Sequence, residues 1–169
     1  MRVLQVNLHH SRAALAALSV AMRNCDVALI QEPWTHKGEI KGLKEVGGEL
    51  IYGRSIPHRR TCILVKKGFQ ILPLVQHCSR DLTAVKIKTS RGGGPREIIL
   101  GSAYLPYDDV EPPPPRELEK LMTGCRANGT HLIVGCDAMR IRIKPPGEVQ
   151  ILTTEVSPCL TILGLKGWT

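Results

Sequence analysis

Two carboxylates stand where long apolar runs stop. Glu32 follows Asp26-Val27-Ala28-Leu29-Ile30-Gln31, and Asp137 follows His131-Leu132-Ile133-Val134-Gly135-Cys136. Runs of this length bounded by turn formers suit strands buried on both faces. A carboxylate at such a strand end is held rigidly while it reaches a cleft, which is what a hard metal ion engaged in phosphate chemistry requires. Two further runs also end on polar groups. Arg2-Val3-Leu4-Gln5-Val6 stops at Asn7, and Ile98-Ile99-Leu100-Gly101-Ser102-Ala103 stops at Tyr104-Leu105-Pro106. Taken singly, each has an ordinary explanation, because polar residues commonly open the loop after a strand. Four such ends in one chain are less ordinary.

These ends need elements to hold them. Leu15, Leu18 and Met22 recur at helical spacing in the Ala-rich stretch Arg12 to Asn24, with Ser11 as the expected N-cap. Strand, helix and strand in that order favour parallel pairing through a crossover. Short strands are expected near Glu49 to Tyr52, Thr61 to Val65, Phe69 to Val75 and Leu82 to Ile87, the last half exposed through Lys86 and Lys88. Pro112 to Pro115 cannot continue a helix or a central strand. Pro115 can occupy the first turn of a helix running to about Ala127, with Leu118, Leu121, Met122 and Cys125 on its apolar face. Beyond Met139 the alternation stops, and no helix joins the strand-like runs Ile151 to Val156 and Cys159 to Leu163.

A length of 169 residues predicts one domain with a real core. With 23 Lys and Arg against 15 Asp and Glu, the formal charge of +8 favours a polyanionic partner such as nucleic acid. No signal peptide and no run of membrane-spanning length is visible, so an intracellular chain without a membrane partner is expected. The six cysteines lack paired metal-type spacing, and several sit in apolar runs as small hydrophobes. His77-Cys78 and His9-His10 find no companion pair to complete a zinc tetrahedron.

Asn7, Gln31-Glu32-Pro33-Trp34, Tyr104-Leu105-Pro106 and Gly135-Cys136-Asp137-Ala138 occur in the order used by one family. The chain resembles the endonuclease/exonuclease/phosphatase superfamily, which includes apurinic-site endonucleases and pancreatic deoxyribonuclease. Within it, Val6-Asn7-Leu8, Leu29 to Trp34 and Leu132 to Ala138 look most like the endonuclease domain of insect-type non-LTR retrotransposons. The resemblance covers Met1 to Ala138 and implies an α/β fold, a four-layer α-β-β-α sandwich of the deoxyribonuclease type. It implies Mg²⁺, or Mn²⁺, on Glu32, with Asn7 helping to set metal and phosphate. Tyr104 would contact the scissile phosphate, and Asp137 would orient or activate water. The implied partners are double-stranded DNA and, in an intact element, a reverse transcriptase domain on the same polyprotein, which places the chain in the nucleus. His9, Arg12 and Trp34, with His10 and His36, lie beside these motifs and could touch DNA; solvated loop residues, or a packing role for Trp34, explain them as well. Arg80-Asp81 either helps to place the site or is a surface ion pair.

The chain departs from its family after Asp137. The pattern continues Asp-x-Asn-x-His, and the Asn position here is Met139, which cannot hydrogen-bond a phosphate as an amide does. A later Ser-Asp-His is missing, and His131 is the last histidine. If each new codon takes the third base of one residue's codon and the first two of the next, Ala138 through Ile141 can spell Asn-Ala-His. The same shift lets Pro146 through Leu163 encode WGSSNINNRGESLLDYL, which looks like ordinary retrotransposon endonuclease sequence. A one-base deletion near codon 138 accounts for both. The division expected is therefore an incomplete endonuclease domain over 1–138 and an aberrant tail over 139–169. The expected function is a truncated, inactive DNA endonuclease domain. The alternatives are another phosphodiesterase of the superfamily, acting on RNA, abasic sites or small phosphoesters, and a decayed remnant that only binds DNA.

Overall fold

The structure is a computed structural model that describes residues 1–53, 57–89, 96–105, 114–137 and 160–164. It opens with strand β1 (Val3–Asn7), helix α1 (Ala14–Met22) and strand β2 (Val27–Gln31), and β1 and β2 pair in parallel as the order of elements predicts. The helix begins later than expected. Ser11 is not its cap: the Ser11 N–H closes a turn onto the Leu8 carbonyl at 2.8 Å, and two residues later Ala13 takes the N-cap position without a side-chain bond.

A tight hairpin follows that the sequence reading missed, β3 (Thr35–His36) with β4 (Glu39–Ile40). Lys37 and Gly38 both adopt left-handed backbone at its tip (φ 51° and 77°), the conformation a two-residue hairpin loop of this hand needs. The short helix α2 (Leu43–Val46) leads to β5 (Glu49–Ile51) and β6 (Thr61–Val65), which complete one sheet in the order β1-β2-β6-β5.

The second sheet has the order β11-β10-β9-β8-β7, from β7 (Gln70–Pro73), β8 (Leu82–Thr89), β9 (Arg96–Tyr104), β10 (His131–Asp137) and β11 (Leu160–Gly164). Helix α3 (Arg116–Ala127) crosses between the parallel strands β9 and β10. Pro115 stands just before that helix, as its N-cap, where its carbonyl accepts the Glu119 N–H. The terminal strand β11 lies in the segment that the sequence sets apart as 139–169, and it pairs in parallel with β10. The run Ile151 to Val156 lies outside the described residues.

Alternation along the strands sorts the core. From the first sheet Val27, Leu29, Ile63 and Val65 cluster with Val85, Ile87 and Leu100 from the second, so the sheets meet face to face. The intervening residues Ala28, Ile30, Cys62 and Leu64 cluster with Leu18 and Met22 of α1 and Leu43 of α2. Beyond the second sheet, Leu82, Ala84, Ile99, Leu132 and Val134 pack with Leu118, Leu121 and Cys125 of α3. Strand β8 is thus less exposed than its lysines suggest. Leu82 to Val85 are buried on both faces, as is Ile87, while Lys86 is partly and Lys88 fully exposed.

Candidate active site

Among the described residues there are two strand-helix-strand units, β1-α1-β2 and β9-α3-β10, each parallel and one in each sheet. Register aligns their ends. Asn7 lies opposite Gln31, which precedes Glu32, and Tyr104 lies opposite Asp137. Gln31 then joins the two units. Its side chain is fully buried, accepts from Gln5 Nε2 at 2.8 Å, and donates from Nε2 to Ser102 Oγ and to the Gly135 carbonyl, both at 3.0 Å. Ser102 Oγ in turn donates to the Ile30 carbonyl at 2.8 Å. Because Ser102 is two residues before Tyr104 and Gly135 two before Asp137, these bonds bring all four polar strand ends to one edge of the stacked sheets. The side chain of Asp137 and residues 138–140, Met139 among them, lie outside what is described.

Gly135 permits the close approach. A Cβ there would sit 2.8 Å from Gln5 Cγ and 2.9 Å from Leu29 Cβ, below any ordinary contact.

The loops above Asn7 and Gln31 are bent by unusual backbone. His9, His10 and Glu32 all have positive φ (47°, 53° and 47°), and non-glycine residues in that region carry a conformational cost that clusters at functional sites. Hydrogen bonds enforce it: Asn7 Oδ1 accepts the His9 N–H at 2.7 Å, the Glu32 carbonyl accepts the His10 N–H at 2.9 Å, and the Glu32 N–H donates to the Arg60 carbonyl at 2.7 Å. The Glu32 carboxylate is 17% exposed, with His9 Nδ1 at 3.4 Å and His10 Nε2 at 4.0 Å. Arg12 lies over the Trp34 ring, 5.5 Å from its centre, so these two candidate DNA contacts engage one another. His36 is exposed on the hairpin strand β3.

Among the described residues no group of three or more His, Cys, Asp and Glu side chains could hold a metal ion. Mg²⁺ makes a smaller demand than such a cluster, since it keeps several waters and is held by one or two carboxylates together with substrate phosphates. A half-buried carboxylate at Glu32 beside the Asn7 carboxamide fits that modest demand.

The same edge bears two arginines that sequence reasoning passed over. Arg59 is buried, stacks 4.7 Å from the Tyr52 ring centre and donates from Nη1 to the Gly38 carbonyl at 3.2 Å, pinning the hairpin tip. Arg60 pairs with Asp81 and stacks 4.3 Å from the centre of the Tyr104 ring. The partner of Asp81 is therefore Arg60 and not its neighbour Arg80. No spacing along the chain marked Arg60; only the antiparallel pairing of β6 with β2, with Thr61 opposite Gln31, sets it opposite Glu32.

No protein-family model and no curated protein matches the chain. Solved structures do. One is the endonuclease domain of TRAS1, a telomere-specific non-LTR retrotransposon, at 27% identity and a TM-score of 0.58 over 81% of this chain. The chain resembles a retrotransposon endonuclease domain. It spans 58% of the length of the TRAS1 endonuclease structure. The likeness is to an enzyme, and it agrees with the resemblance carried by the motifs around Asn7, Glu32, Tyr104 and Asp137. Among the described residues no helix is long and apolar enough to cross a membrane.

Proposed function

We propose that this chain derives from a Mg²⁺-dependent DNA endonuclease domain of a non-LTR retrotransposon, a deoxyribonuclease-like four-layer sandwich that in its intact element works beside a reverse transcriptase in the nucleus. The observation that carries the reading is the meeting of Asn7, Glu32, Tyr104 and the strand end of Asp137 at one edge, from two equivalent strand-helix-strand units. Glu32 and Asn7 would hold Mg²⁺ or Mn²⁺, which when bound neutralises charge on the phosphate. Asp137 orients the attacking water and accepts its proton, and Tyr104 steadies the scissile phosphate by a hydrogen bond from its hydroxyl. His9, Arg12 and Trp34 supply flanking contacts to the duplex. Nothing in this scheme needs a covalent intermediate.

We further propose that the chain as it stands does not nick DNA, because Met139 occupies the place of an amide that stabilises the transition state. Loss of one such donor costs about a hundred- to a thousand-fold in rate. The test is relaxation of supercoiled plasmid with Mg²⁺, using the 169-residue chain and a version returned to the family reading frame after Asp137 and continued to full domain length. The restored protein should nick and the present chain should not, and Glu32→Ala or Asp137→Ala should abolish the restored activity. Equal nicking by the two versions would overturn the inactivity. Cleavage confined to RNA, abasic or small phosphoester substrates would move the chain to another branch of the superfamily, and salt-dependent duplex binding without cleavage by either version would leave a DNA-binding remnant.

A further inference from the structure

We propose that Arg60 is a positioning residue that fixes Tyr104, on one sheet, relative to Glu32, on the other. The proposal rests on the reading of Glu32 and Tyr104 as site residues. Four connections converge on this one arginine. Its carbonyl accepts the Glu32 N–H at 2.7 Å, and its own N–H donates to the Arg80 carbonyl at 2.7 Å. Its guanidinium grips Asp81 through two nitrogens, Nε to Oδ1 and Nη2 to Oδ2, the second at 2.7 Å. The Cζ of the same guanidinium lies over the Tyr104 ring, 4.3 Å from its centre. The circuit closes through the backbone, where the Asp81 carbonyl accepts the Tyr104 N–H at 2.8 Å.

The residue type matches this task. A guanidinium offers a flat fork that can bind a carboxylate through two parallel bonds and stack on a ring at once, whereas an ammonium is a point charge that can do neither. Arg60 and Asp81 are only 18% and 21% exposed, so solvent screens the pair weakly. With two of its nitrogens committed to Asp81, the guanidinium acts on Tyr104, while the backbone carbonyl of Arg60 holds the Glu32 N–H. Glu32 needs such an anchor, because its left-handed backbone is held on its N–H side by the Arg60 carbonyl.

The test uses the full chain and Mn²⁺ alone as the probe, read by NMR on protein carrying ring-labelled tyrosine and histidine. Three tyrosines and six histidines make the spectrum assignable by single substitutions. In the unaltered chain Mn²⁺ should broaden the Tyr104 ring together with His9 and His10. In Arg60→Lys, which keeps the charge, the Tyr104 ring resonance should shift and lose its Mn²⁺ broadening while His9 and His10 keep theirs, because broadening falls steeply with distance from the ion. A purely structural ion pair would lower the melting midpoint and leave the Tyr104 resonance and its broadening unchanged, and that result would overturn the proposal. If Mn²⁺ broadens none of the three residues in the unaltered chain, the metal assignment of Glu32 fails. The Tyr104 ring shift in Arg60→Lys then decides the positioning role alone, with no shift refuting it. Should Arg60→Lys not fold, Asp81→Asn releases one arm of the fork and is read by the same two measures.

Discussion

Replacing Gln31 by Leu removes the side chain that ties the two sheets together beneath the four polar strand ends. Its carboxamide is fully buried and makes three hydrogen bonds, to Gln5, Ser102 and Gly135. The losses are unequal. Gln5 is half-buried and can turn to water, Ser102 keeps its bond to the Ile30 carbonyl, and Gly135 keeps its ladder pairing with β9 and β11, so the loss falls on the two bonds that cross between the sheets. A buried hydrogen bond contributes about 0.5–1.5 kcal/mol net, so losing these two costs roughly 1–3 kcal/mol. For a chain of this size that lowers the melting midpoint by roughly 2–12 °C. Gln31→Glu adds a signature in pH. A carboxyl buried among acceptors prefers to stay protonated, so its folded pKa rises above the unfolded value of about 4.3. The folded state then binds more protons than the unfolded one above that pH, and stability must fall as pH rises. Urea titrations followed by circular dichroism, for the unaltered chain and both variants across the acid to neutral range, read these quantities directly. The reasoning fails if Gln31→Leu matches the unaltered chain in midpoint, or if Gln31→Glu shows no extra loss of stability toward neutral pH.

Other outcomes follow from the same geometry. Gly135→Ala should destabilise by about 1–3 kcal/mol through overpacking against Gln5 and Leu29, and an unchanged denaturation midpoint would contradict the close approach. The Arg2 N–H, donating to Asp26 at 2.7 Å, holds that carboxyl below the usual range despite burial, with the N-terminus 3.9 Å away. Its contribution is therefore present above the unfolded pKa and lost as pH falls through the folded one, and Asp26→Asn should flatten the acid limb of a stability profile. Arg59→Ala should free the hairpin tip and speed tryptic cleavage after the exposed Lys37, which a digestion time course followed by mass spectrometry would show or deny. Burial raises the Cys62 thiol far above its ordinary value, so pulsed alkylation should leave Cys62 unmodified in the native protein while half-buried Cys25 reacts.

Much of this arrangement was legible because strands buried on both faces announce themselves as apolar runs, and each run that ended on a polar residue marked a strand end. Asn7, Glu32 and Tyr104 were found that way, as were β6 and the pairing of β1 with β2. What escaped is physically distinct. The hairpin at Thr35 to Ile40 has strands of two residues, too short for any periodicity, and its turn signal was only Lys37-Gly38. The start of α1 was misplaced because Ser11 lies in a turn closed onto Leu8, two residues ahead of the N-cap at Ala13, and that turn depends on where Leu8 goes. Arg60 and Gln31 are polar residues whose tasks exist only once two sheets are stacked, and no spacing along the chain encodes a partner on another sheet. Asp81 was noticed, yet with the wrong arginine, because neighbours in sequence are the obvious pair and neighbours in space are not.

Among the described residues the polar bonds between the sheets are not spread evenly. Gln31 with Ser102 and Gly135, and Thr61 with Thr83 at 2.9 Å between hydroxyls, all lie toward the Glu32 end. Toward the other end Val27, Val65 and Ile87 meet through aliphatic contact alone. Oily contact is nondirectional and would let one sheet glide over the other, whereas hydrogen bonds of fixed length work as dowels that index the two plates at a single setting. Stiffness and grip are therefore divided along the strands: the aliphatic end can be repacked with volume-conserving residues to raise thermal resistance, while alignment of the polar edge is governed by a handful of buried hydroxyl and amide groups that such engineering should leave alone.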